Sequence, residues 1–259
     1  MKAVKVLETN ILYASDVIYW LDGSSAAQEA DMRRLSEAVV LQLDTRPADL
    51  QFLNTSGKTA LWRRSAGKTV QGPPSEADKL RPIEAAYVIA GSVADSQRRY
   101  VPRRFQIQAG NAAGHSLVLY PTPFGTKLGR GGGLRGTLRF TGSNAPAVWA
   151  LLTLTVNLGV GGNLICRAQA DANGDFIIAM HRLPPLPEGV TEYTATLNIR
   201  ALVAANAADV IDPDDLVAMT LGALDAENSF AAEVALAVVP GEIGLIRSFN
   251  RDHLAVQPN

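Results

Sequence analysis

Cysteine occurs once in the 259 residues, at Cys166, so the chain can build neither an internal disulfide framework nor a four-cysteine zinc or iron–sulfur site. Histidine is nearly as scarce. His115, His181 and His253 lie in separate segments without metal-ligand spacing, and each reads as a surface or partly packed side chain. Long apolar runs are missing too. Even Ala145 to Leu158 is interrupted by Pro146, Thr153, Thr155 and Asn157, well short of the roughly 18 apolar residues of a membrane span. Glu8, Asn10 and Asp16 break up the opening segment before it can form the core of a secretory signal. Synthesis in the cytoplasm without a signal peptide is therefore expected, with no membrane insertion.

What is present is ordinary for a core-forming chain: 47% hydrophobic residues, 19% charged residues and a net charge of -1. The length favours two domains. Period-two alternation dominates from about Tyr87 onward. Leu152, Leu154, Val156 and Leu158 point one way and Thr153, Thr155 and Asn157 the other; Tyr193, Ala195, Leu197 and Ile199 oppose Thr194, Thr196, Asn198 and Arg200. Phe105 and Ile107 turn inward from Arg104 to Gln108, as do Leu138 and Phe140 from Thr137 to Thr141. Asn173-Gly174 and Pro240-Gly241 supply turn chemistry between such runs and predict hairpins. Helix signals are few: Asp212-Pro213-Asp214-Asp215 has the layout of a helix start ahead of Val217 to Leu224, and Ser25 to Ala38 carries a weak apolar stripe. The Gly-rich stretch Gly125 to Gly136 reads as a linker or long loop. The expected fold is mostly β, two β-sandwich-like domains with one or two short helices: a β-rich domain over 1–124 and a second sandwich over 125–259.

Chemical signatures dissolve on inspection. Gly57-Lys58-Thr59 and Gly67-Lys68-Thr69 suggest a phosphate loop, but the earlier glycine that such a loop needs is replaced by Phe52 and Trp62, so the glycines read as punctuation around a strand over 60–64. Gly131 to Gly136 spells G-x-G-x-x-G, yet an alternating strand follows where a dinucleotide site requires a helix. Gly114-His115-Ser116 begins like a nucleophile elbow and lacks its closing glycine. Cys166 alternates inward with Ala168 and Ala170 and reads as an inert buried thiol. Asp171, Asn173 and Asp175 fit a turn better than a calcium loop, because the glycine stands at the wrong position. No catalytic residue, no cofactor and no metal site is expected, and the chain reads as a non-enzyme.

Charge is distributed unevenly. Residues 1–140 carry 19 basic and 12 acidic residues, net +7, and residues 141–259 carry 5 and 13, net -8. No acid falls between Asp95 and Asp171, whereas Arg98, Arg99, Arg103, Arg104, Lys127, Arg130, Arg135 and Arg139 do. A solvated face is the plain explanation for a basic run, but eight cations without an intervening acid exceed a mixed surface. Complementary acids occur in the same chain, among them Asp209, Asp212, Asp214, Asp215, Asp225 and Glu227. The expected interface residues are Arg98, Arg99, Arg103, Arg104, Arg130 and Arg135 against Asp212, Asp214 and Asp215 of a neighbouring copy, a head-to-tail contact. Nucleic acid is not expected as partner, since aromatic interleaving is limited to Tyr100 and Phe105 and the whole chain is not basic.

Three segments carry a resemblance: Gly136-Thr137-Leu138-Arg139-Phe140; Pro146-Ala147-Val148-Trp149-Ala150 leading into a strand; and Ala168 to Phe176, with its Asp171-x-x-Gly174-x-Phe176 pattern. Together they are similar to the carboxypeptidase regulatory-like (Ig-like) β-sandwich over roughly residues 134 to 200, which implies a fold and little about activity. Val93-Ala94-Asp95, Tyr100 to Phe105 and Leu119-Tyr120-Pro121, followed by this sandwich and a closing Pro240-Gly241, also resemble accessory structural proteins of phage tail-like contractile injection systems. That resemblance implies a cap, collar or baseplate-associated component whose partners are copies of itself and other structural proteins of the particle. The alternative is a β-sandwich binding module for carbohydrate or a protein surface.

Overall fold

The computed structural model describes residues 16–63 and 86–259. Residues 1–15, Arg64 and the second triplet at Gly67-Lys68-Thr69 lie outside the described residues. Among the described residues the chain is mostly β, and helix is confined to single 3-10 turns at Glu29–Asp31, Gly159–Gly161 and Pro213–Asp215.

The first seven strands are β1 (Asp16–Asp22), β2 (Val40–Thr45), β3 (Leu50–Thr55), β4 (Lys58–Arg63), β5 (Tyr87–Ala94), β6 (Arg103–Ala109) and β7 (Gly114–Leu119). They form a four-stranded sheet in the order β3-β4-β1-β7, with β1 and β7 parallel, and a three-stranded sheet β2-β5-β6. Alternation puts Ile18 and Trp20 of β1 and Leu61 of β4 on one inner face, opposite Ile89 and Val93 of β5 and Phe105 and Ile107 of β6 on the other. Trp20 and Phe105 meet edge to face, with ring centroids 5.8 Å apart. Gly57 is the second residue of the two-residue loop joining β3 to β4, so the first Gly-Lys-Thr triplet is a hairpin turn.

The remaining strands are β8 (Gly133–Phe140), β9 (Leu151–Asn157), β10 (Asn163–Gln169), β11 (Asp175–Ala179), β12 (Tyr193–Ala201), β13 (Val217–Gly222), β14 (Phe230–Ala231), β15 (Val234–Val238), β16 (Ile243–Leu245) and β17 (Leu254–Pro258). They make one curled sheet in the order β10-β9-β12-β13-β17-β8-β11, with β14, β15 and β16 on its flanks. Strand β17 closes one side by pairing antiparallel with β13 and parallel with β8. Leu152, Leu154 and Val156 of β9 and Leu197 of β12 therefore share one core with Leu138 of β8 and Phe176 and Ile178 of β11.

Four local expectations need correction. The helix foreseen over 212–224 is a single turn: the Asp212 carboxylate does accept from the Asp214 amide, but Val217 onward pairs with β12 as β13, because Met219 and Leu221 alternate into the core. Ser25 to Ala38 likewise yields only the turn Glu29–Asp31, its stripe being too sparse to bury a helix face. Neither turn dipeptide closes a hairpin. Asn173-Gly174 carries the chain from β10, which pairs with β9, to β11, which pairs with β8, and Pro240-Gly241 carries it from β15 on β12 to β16 on β8. Finally, the Gly-rich run is a linker only in part. A Cβ on Gly131 would lie 1.8 Å from the Met180 carbonyl oxygen, and one on Gly132 would lie 2.1 Å from that of Glu242. Those glycines mark close approaches of backbone at the entry to β8, not freedom.

Candidate interface at the junction of the two sandwiches

Two small apolar clusters join the sandwiches. Val101, just before β6, packs with Val148 and Trp149 and is flanked by Ile211; Tyr120, just after β7, packs with Leu151 and Leu216. Trp149 is buried in this junction ahead of β9 and not in the sandwich core, with its indole N–H donating to the Asn206 carbonyl at 3.1 Å.

Between these clusters Arg103 crosses from one sandwich to the other. Alternation along β6 turns its side chain inward, where one guanidinium nitrogen donates to Asp212 at 2.6 Å and to Asp214 at 2.8 Å, and another donates to the Val118 carbonyl at 2.9 Å. Arg103 is 4% exposed, Asp212 19% and Asp214 78%. Burial pushes the Asp212 carboxyl above its ordinary value, and the Arg103 charge offsets that only partly. The β6 backbone adds a link, Arg104 N–H donating to the Ile211 carbonyl at 2.8 Å. Complementary charge from the two halves thus meets inside one chain at this point.

The other arginines divide into two groups. Arg99 pairs with Glu37 and with the buried Asp95, and Arg104 pairs with Asp44 at 2.9 Å. Arg98, Arg130 and Arg135 are exposed and have no carboxylate partner among the described residues, and the same holds for Asp215 with respect to cations. The structure brings Arg103, Asp212 and Asp214 together and leaves Arg98, Arg130, Arg135 and Asp215 to solvent.

Beside Arg104 a cleft of about 610 Å³ opens between the two sandwiches. Its floor is the cross-strand row Gln42–Ser92–Arg104 on the outer face of β2, β5 and β6, and its wall is the loop 202–211. The sequence held a signal for this wall, the alanine-rich stretch Leu202 to Ala208 between a strand and the Asp-Pro turn, but nothing in it shows which surface such a loop covers.

Comparison with family models, with curated proteins and with solved structures returns no match.

Several described groups with catalytic potential are bonded into the scaffold. Asp16, fully buried on β1, accepts from the Gly110 and Ala113 amides and contacts His115 at 3.1 Å, tying the turn after β6 to the parallel pair β1–β7. Ser248, His253 and Asp252 look like a triad by composition, since His253 and Asp252 lie 2.6 Å apart. The Ser248 hydroxyl, however, donates to the Gly222 carbonyl and accepts from the Ala255 amide, which leaves no proton to pass on. Asp171 accepts from the Asn173 and Asp175 amides, the hydrogen bonding of a turn. Burial raises the Cys166 thiol to about 11, so it stays protonated at neutral pH.

Proposed function

We propose that the chain is a non-enzymatic structural component that associates with copies of itself and with other structural proteins of a particle. One observation carries this: once the ion pairs within the chain are made, Arg98, Lys127, Arg130 and Arg135 remain exposed in the acid-free stretch, and Asp209, Asp215, Asp225 and Glu227 remain exposed in the acid-rich half, all without an opposite-charge partner among the described residues. Charge so divided steers identical copies into one relative orientation, while screening over about 8 to 10 Å in ordinary salt leaves the holding energy to apolar contacts. The finer placement, a cap, collar or baseplate-associated protein of a phage tail-like contractile injection particle, is supported by the residue resemblance alone.

Light scattering of the purified protein across a salt series tests the assembly. Species larger than a monomer are expected, weakening with salt, and Arg130→Glu with Arg135→Glu should reduce them. A monomer at every salt and protein concentration would overturn the proposal. The second reading, a binding module, is favoured by the cleft. Its described lining holds no aromatic ring for a sugar to stack on, so a protein surface suits it better than a carbohydrate.

A further inference from the structure

Among the described residues, the most exposed aromatic side chain lies on the loop after β7. Phe124 is 85% exposed, yet the loop that carries it is pinned in place. Thr122 N–H donates to the Arg99 carbonyl at 2.7 Å, its hydroxyl lies 3.0 Å from the Arg98 carbonyl and accepts from the Gly125 amide at 3.0 Å, and the Thr126 amide and hydroxyl both donate to the Thr122 carbonyl at 2.8 Å. Gly125 backs onto the Arg99 carbonyl so closely that a Cβ there would stand 2.0 Å from the oxygen. An aromatic residue on a loop whose backbone is already fixed has no loop-ordering cost on binding, which suits an interface anchor. Its neighbours are cationic. Arg98 and Lys127 flank the loop, both exposed and without a carboxylate partner among the described residues.

The junction cleft has the complementary character. Its wall presents the small side chains of Ala204, Ala205 and Ala208, its volume of about 610 Å³ is several times that of a phenyl ring, and its acids are Asp209, with no cationic partner, and Asp44, paired with Arg104. Phe124 does not enter the cleft of its own chain, being exposed and absent from its lining.

We propose that the Thr122–Thr126 loop is an assembly knob that seats the Phe124 ring, with Arg98 and Lys127 beside it, in the junction cleft of a second copy. The proposal rests on the self-assembly reading above and names the surfaces it uses. Because knob and cleft are different patches of one chain, the contact is heterologous and propagates into a ring or a filament.

Mixing full-length Lys127→Cys chains, which keep the Phe124 ring, with Ala208→Cys chains under mild oxidation tests it, since Cys166 is buried and protonated and stays silent. Mixed disulfide dimers should form at least about tenfold faster than between Lys127→Cys and a Val160→Cys control, whose position is fully exposed. Phe124→Ala should weaken self-association about tenfold by sedimentation without moving the melting temperature, as expected for a side chain that touches little in the monomer. Assembly that persists unchanged in Phe124→Ala, with cross-links no faster than the control, overturns the knob and leaves the self-assembly reading standing. A wild-type chain that is monomeric throughout overturns both. Sedimentation of the protein with phosphatidylserine vesicles in a manner abolished by Phe124→Ala, without self-association, would assign the loop to a lipid surface and overturn the proposal.

Discussion

The two sandwiches reach stability by different means. The core built from β8 to β17 is mainly apolar: Leu138, Leu152, Leu154, Val156 and Leu197 are all at 0% exposure, and the buried Gln169 and Ser248 side chains donate to backbone carbonyls rather than to other side chains. The smaller core of β1 to β7 depends on buried polar groups with distant partners. Trp20 donates its indole N–H to the Thr59 hydroxyl at 2.9 Å, which in turn donates to Asn54 at 2.9 Å, and Asp16 and Arg103 are buried with their hydrogen bonds satisfied. Apolar alternation specifies a strand's face wherever it occurs. A buried polar network adds specificity only when every member is in place, and losing one leaves the others unpaired.

That contrast is sharpest under mutation. Leu154→Ala removes a fully enclosed side chain from the larger core and should cost roughly 4 kcal/mol, within the range of about 2 to 5 seen for such truncations. The midpoint of urea unfolding measures it, and a shift worth less than about 1 kcal/mol would mean that β9 is not central to the core. Arg103→Ala comes next, at roughly 3 kcal/mol, the low end for breaking a buried pair, since Asp214 is 78% exposed and only Asp212 loses its counter-charge in a half-buried site. Because Arg103 joins the two sandwiches, the variant should also separate their unfolding into two transitions by calorimetry, whereas Leu154→Ala leaves the junction intact.

The sequence made the larger core legible because its signal is local. Leu152, Leu154 and Val156, and likewise Tyr193, Ala195, Leu197 and Ile199, could be assigned to the inner face from spacing alone, and all are buried. Pairing was not legible. Nothing in Asn173-Gly174 shows whether the strands on either side join each other or go to different sheets, since that depends on where β8 and β9 lie. At the candidate interface, the sequence shows the charges but not their partners. Arg103 and Asp212 are 109 residues apart, and only the fold shows that they meet within the chain. Phe124 leaves no mark in the sequence either, because a single aromatic between Pro123 and Gly125 carries no periodicity.

Gly131→Ala distinguishes a linker from an entry into β8, and its effect should be smaller than that of Arg103→Ala. In a free linker alanine would be neutral or stabilising by about 0.4 to 1 kcal/mol, through loss of unfolded-chain entropy. Here the added methyl group meets the Met180 carbonyl, so a loss of more than about 1 kcal/mol is expected. A raised melting temperature would restore the linker reading.

The smallest effect, and one that pH alone reads out, belongs to Asp95 at the end of β5. Burial works against its ionisation, but hydrogen bonds from the Arg99 side chain and from the Gln97 and Arg99 amides outweigh that and hold the carboxyl below its ordinary value of 3.8. The folded state therefore binds this proton less tightly than the unfolded chain. The stability that the ionised group contributes is fully present above pH 3.8 and is lost as pH falls through the lower folded value. Asp212 acts with the opposite sign, since its raised folded value makes its contribution decline as pH rises from 3.8. Urea midpoints of Asp95→Asn and wild type, compared from pH 7 down to about pH 3, should differ most at neutral pH and converge below 3.8. A gap that stays constant over that range would show that shape, not charge, is what Asp95 gives to the turn.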